Sequence, residues 1–75
     1  MSNREQAGLT EWKGKALRYI GRLNDMGLGA IMPYSELISA ADQLNQLGLA
    51  EDRGGTTRRW LTPAGRAALA NGDGK

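Results

Sequence analysis

The chain has 75 residues with no cysteine and no histidine, which excludes disulfides, thiolate chemistry, histidine metal ligation and histidine-based triads. Formal net charge is only +2, and no apolar run approaches the roughly 18 residues that a bilayer crossing requires. The remaining carboxylates, lysines, tyrosines and hydroxyls form no nucleophile–base arrangement, so the expectation is a non-enzymatic domain without cofactor or metal, cytoplasmic and off the membrane.

Residues 1–8 are polar and are expected to be a flexible N-terminus, with one domain over 9–70 and a flexible tail over 71–75. A first helix is predicted to open at Thr10 as its N-cap, with Glu11 in the first turn. On a helical wheel Leu9, Trp12, Ala16, Ile20 and Leu23 share one side. Lys15, Arg18 and Arg22 share the other, with Glu11 at bridging distance along the helix. Gly27 and Gly29 then stop it.

Ala30-Ile31-Met32 reads as a bridge-length strand, because Pro33 disfavours a helical Met32. Ser35 is expected to cap a second helix with Glu36 in its first turn. Leu37, Ala40, Ala41, Leu44 and Leu47 make its buried arc, and Ser39, Asp42, Gln43 and Gln46 its exposed stripe. Gly48 ends it in a left-handed cap. Ser35 to Leu47 has room for about three and a half turns, which leaves open one helix or a single turn followed by a helix.

Leu49-Ala50-Glu51-Asp52 and Thr56 to Leu61 flank Arg53-Gly54-Gly55, a hairpin signal, since such turns need positive φ. Thr62 then caps a last helix and Pro63 takes its first position, where a missing N–H costs nothing. Ala64 to Ala70 continues it, with Asn71-Gly72 as the stop.

Helix, short strand, helix, Gly-turned hairpin and helix make an α+β, mostly α architecture. The stretch "LNQLGLAEDRGGTTRRWLTPAGRAAL", Leu44 to Leu69, resembles the second half of bacterial and phage winged-helix transcriptional regulators. The shared features are the Leu47-Gly48-Leu49 corner, the basic Gly-containing hairpin that would be the wing, and the LTPAGR joint. The resemblance implies a compact winged helix that binds double-stranded DNA and regulates transcription or a phage or plasmid function; a homodimer is expected because one abbreviated module offers little surface for specific affinity. It departs from the family where two helices of a helix-turn-helix should stand, because the space holds an abbreviated unit.

Charge is segregated along the chain. Residues 1–32 carry +2, residues 33–52 carry −4 with no base at all, and residues 53–75 carry +4. The helix that the resemblance would place in the groove is therefore the acidic part, which duplex phosphates repel. Candidate contacts are the wing arginines Arg53, Arg58 and Arg59, the polar stripe Ser39, Gln43 and Gln46, and the first-helix cations Lys15, Arg18 and Arg22. The alternative is a winged-helix module that binds a protein, such as a phage-encoded inhibitor or adaptor, through complementary charge patches. Trp12 and Trp60 are assigned to the core and Tyr34 to the surface.

Overall fold

The first helix, α1 (Ser2–Asp25), begins eight residues before the expected cap. Arg4, Glu5, Gln6 and Ala7 all favour helix and no Pro interrupts the run, so the helix continues through Gly8 and Thr10. This is a computed structural model; it describes residues 2–53 and 57–71, with side chains described within 11–53 and 57–71. Ala16, Leu17 and Ile20 form the α1 contribution to the core, with Trp12 and Leu23 half-buried beside them. Leu17 lies outside the predicted arc. It is buried because α1 packs on one flank against the second helix and on the other against the hairpin and the last helix, so its apolar sector is wider than a single stripe.

The second helix, α2 (Ser35–Gln46), is one continuous element of 12 residues, which answers the question the sequence left open. Its N-cap is Tyr34 rather than Ser35, with no side-chain cap; Ser35 instead donates from Oγ to Glu36 Oε1 at 3.3 Å. Leu37, Ala40, Ala41 and Leu44 are buried as expected. Leu47 is not: as the C-cap residue it is 59% exposed.

Both long helices end by the same device. The N–H of Leu28 bonds Leu23 O at 2.9 Å around Gly27 (φ +81°), and the N–H of Leu49 bonds Leu44 O at 2.8 Å around Gly48 (φ +77°). In this motif the backbone N–H after the left-handed glycine returns to the last turn of the helix. At Gly48 the return carries Leu49 against the core and leaves Leu47 outside, whereas Leu28, in the same place after Gly27, is 50% exposed.

A short antiparallel hairpin follows, β1 (Ala50–Asp52) and β2 (Arg59–Leu61), with Ala50, Glu51 and Asp52 opposite Leu61, Trp60 and Arg59. Each strand is shorter than predicted, starting after Leu49 and after Arg58 respectively. The Gly54-Gly55 turn lies outside the described residues. Ala30 makes a single antiparallel bridge to Arg59, with N–H···O distances of 3.0 and 2.8 Å; of the expected Ala30-Ile31-Met32 strand, only this residue pairs.

The last helix, α3 (Pro63–Ala70), starts as the sequence predicts, with Thr62 as N-cap accepting from Gly65 N at 3.0 Å and Pro63 in the first turn. Thr62 also ties this joint to the α2 corner. Its hydroxyl donates to Gly48 O at 2.6 Å and its N–H to Leu49 O at 3.1 Å. A side chain at Gly65 would overlap the Leu49 carbonyl, so glycine is what lets α3 seat there. Among the described residues, eleven apolar side chains from α1, the bridge segment, α2 and the hairpin bury together, with Ile20 and Leu44 among the most enclosed, and Ala68 and Leu69 of α3 pack half-buried against them. Among the described residues, no helix is long and apolar enough to cross a membrane.

Candidate interaction surface

The three hairpin arginines, equivalent by sequence, are placed in three different settings. Arg59 belongs to the face of β2 that looks toward α2, where its side chain is only 12% exposed. Its Nη2 reaches Asp42 Oδ1 at 2.7 Å, and its Nε lies 3.3 Å from Asp52 Oδ1, within ion-pair range but outside hydrogen-bond geometry. Asp52 faces Arg59 directly across the ladder, and Asp42 comes from the exposed stripe of α2. Asn45, a turn further along α2, donates to Asp52 at 3.5 Å. Arg59 therefore clamps α2, β1 and β2 together, and the carboxylates that the sequence assigns to an acidic surface are partly neutralised by it.

Arg53 and Arg58 lie with Trp60. The Arg53 guanidinium stacks over the Trp60 ring at 4.5 Å from its centroid and pairs with Glu51 at 3.3 Å. Arg58 donates to Gly29 O at 3.4 Å. Gly29 accommodates this approach: a Cβ there would stand 2.7 Å from Arg58 Cβ and 2.8 Å from Trp60 Nε1. The glycine expected to stop a helix is thus a seat for the hairpin, and Gly27 does the stopping. Trp60 is half-buried, held between Gly29 and Arg53 rather than sunk in the apolar core.

Asn24 fixes the hairpin's position and was not singled out by sequence. It is buried near the end of α1, donates from Nδ2 to Leu28 O (2.8 Å) and Arg59 O (3.4 Å), and accepts from Leu61 N at 2.8 Å. The signal was an amide one turn after Ile20, on the core-facing side of an otherwise apolar arc. A buried amide in that position must find partners, and the hairpin backbone supplies them.

On α2, Ser39 and Gln46 are exposed and Gln43 is half-buried. Beside Asp42 on the hairpin side stands Ile38, 44% exposed. With Ile31, Met32, Thr57 and Arg59 it lines an apolar groove of about 280 Å³ between the bridge segment, α2 and the returning arm of the hairpin. On α1, Lys15, Arg18 and Arg22 are exposed. Lys15 does not pair with Glu11; its ammonium sits 4.6 Å from the centroid of the Trp12 ring. Trp12 also meets Tyr34 edge-on at 5.8 Å. Arg66, outside the predicted set, pairs with Asp25 at 3.4 Å between two exposed side chains, an interaction of little energetic weight.

The predicted contact residues are therefore brought together only in part. Arg53 and Arg58 share the Trp60 side of the hairpin, Arg59 faces α2, and the α1 cations sit on a different element. Comparison with protein-family models, with curated proteins and with solved structures returns no match.

Proposed function

We propose that this chain is a non-enzymatic docking module of winged-helix-like build, which binds a protein partner through the surface shared by α2 and the hairpin. The observation that carries the reading is the setting of Arg59. In a nucleic-acid reader the helix beside the wing presents cations or neutral donors to phosphates and bases. Here that helix presents Ile38 next to a guanidinium already engaged by Asp42 and Asp52. Exposed apolar side chains next to paired charges suit the centre of a protein interface, where aliphatic anchors are desolvated and polar groups arrive with partners.

A second reading has its own observation. Arg53 and Arg58 lie with Trp60 at the hairpin, an arrangement suited to phosphate contact or minor-groove entry, which keeps double-stranded DNA bound by a homodimer as the competing proposal. In it Ser39, Gln43 and Gln46 would read base edges, and Lys15, Arg18 and Arg22 would add phosphate contacts.

Affinity capture of the whole chain, scored for protein and nucleic acid together, separates the two. The docking reading expects one stoichiometric protein that is lost in an Ile38→Asp variant of unchanged stability. Recovery of that protein at equal affinity by Ile38→Asp would overturn it. So would recovery of duplex DNA alone, with binding that falls steeply with salt and weakens in Arg53→Ala/Arg58→Ala.

A further inference from the structure

We infer that the cleft between α1 and the start of α2 is a receptor for a single cationic side chain, arginine by preference, presented by the protein partner. The inference rests on the docking reading and names what that partner must carry. The cleft is lined by Trp12, Ser35, Glu36, Ser39 and Ala40, with a volume of about 220 Å³. That is below the roughly 300–1,000 Å³ of sites that enclose a small-molecule ligand, so a single side chain fits its size better than a cofactor does.

Its chemistry selects a cation. The Trp12 ring is a π-face, and the molecule itself shows that this ring holds a positive charge, because Lys15 Nζ lies 4.6 Å from its centroid. Glu36 supplies a carboxylate at the same cleft. It accepts from Ser35 Oγ, and no described cation pairs with it. Of the four acids in residues 33–52, Asp42, Glu51 and Asp52 are paired with hairpin arginines, which leaves Glu36 as the carboxylate that lines the cleft. Tyr34 edge-on to Trp12 fixes the ring. An incoming guanidinium stacks on Trp12, pairs with Glu36 and donates to the Ser39 hydroxyl. In doing so it takes the place of Lys15, whose long exposed side chain moves aside. A planar, forked donor matches a ring and a carboxylate together better than an ammonium does.

The test is an amide and indole NMR titration of the whole chain with a capped Gly-Arg-Gly tripeptide, alongside its Lys and Glu counterparts. Saturating shifts at the Trp12 indole and at Ser35, Glu36 and Ser39 are expected in the millimolar range, weaker for Lys and absent for Glu. Glu36→Gln should weaken binding about two- to fivefold, the scale of an exposed ion pair. Lys15→Ala should tighten it about twofold by removing the competing cation. That last sign is one a purely structural role for these residues would not produce. The inference is overturned if shifts cluster at Asp42 and Asp52 or at Trp60, if Glu36→Gln titrates like the wild type, or if Lys15→Ala weakens binding. A silent cleft with partner capture still sensitive to Ile38→Asp would sink this inference and leave the docking reading standing. A cleft that titrates as expected while capture returns no protein would sink the docking reading, and with it a protein partner as the source of the side chain, and leave the cleft's selectivity for a cation standing.

Discussion

Asp42→Ala removes the carboxylate that holds Arg59 at 2.7 Å and leaves a mostly buried guanidinium with only the poorly aligned Asp52 beside it. A hydrogen bond to a charged group contributes about 1.5–3 kcal/mol when well shielded. Asp42 is 57% exposed, so solvent screening reduces this to about 1–2 kcal/mol. Alanine returns roughly 0.5 kcal/mol in helix propensity at the same position, which masks part of the loss in the single variant. A double-mutant cycle with Arg59→Met removes that background and isolates the pair. The expected coupling is about 1 kcal/mol in urea unfolding followed by tryptophan fluorescence, equivalent to roughly 4–8 °C in Tm for a domain of this size. The same cycle between Asp42→Ala and Arg58→Met should give no coupling, because Arg58 donates to Gly29 instead. Equal coupling for Arg58 and Arg59, or coupling below about 0.3 kcal/mol for both, would refute the clamp.

Two further expectations concern how the elements are seated. Gly65→Ala forces a methyl against the Leu49 carbonyl and strains the Thr62 joint; the usual cost of overpacking, about 1–3 kcal/mol, outweighs the ~1 kcal/mol gained in helix propensity, so Tm should fall. A variant as stable as the wild type would show that α3 is not seated on that carbonyl. Asn24→Ala leaves the Leu61 N–H without its acceptor and should cost about 1–3 kcal/mol, whereas Asp25→Ala, next to it but exposed, should change stability by less than about 0.5 kcal/mol in the same thermal melts.

The local grammar of this chain is legible in its sequence. Gly27 and Gly48 mark helix ends because only glycine enters the left-handed region without penalty, and Thr62-Pro63 marks a helix start because one residue accepts a backbone N–H and the other has none to offer. The α2 arc from Leu37 to Leu44 follows from spacing alone. These features depend on neighbours within a few residues, and such neighbours are what a sequence displays.

What faces what was decided by the tertiary structure. Arg58 and Arg59 are adjacent in sequence, yet strand alternation sends one toward Gly29 and the other toward α2, and only the register with Asp52 and the position of Asp42 turn Arg59 into a clamp. Gly29 reads as a helix stop and Gly65 as part of the LTPAGR joint, but their value lies in what packs against them, a contact made 29 residues away in chain for Arg58 and across the α2 corner for Leu49. Leu47 follows the helical pattern of its arc and is nevertheless exposed, because the left-handed turn at Gly48 hands its place to Leu49. The Trp12 cleft likewise exists only once α1 and α2 are side by side. Spacing along the chain sets each element's own geometry, whereas burial and charge pairing depend on which elements the fold brings into contact.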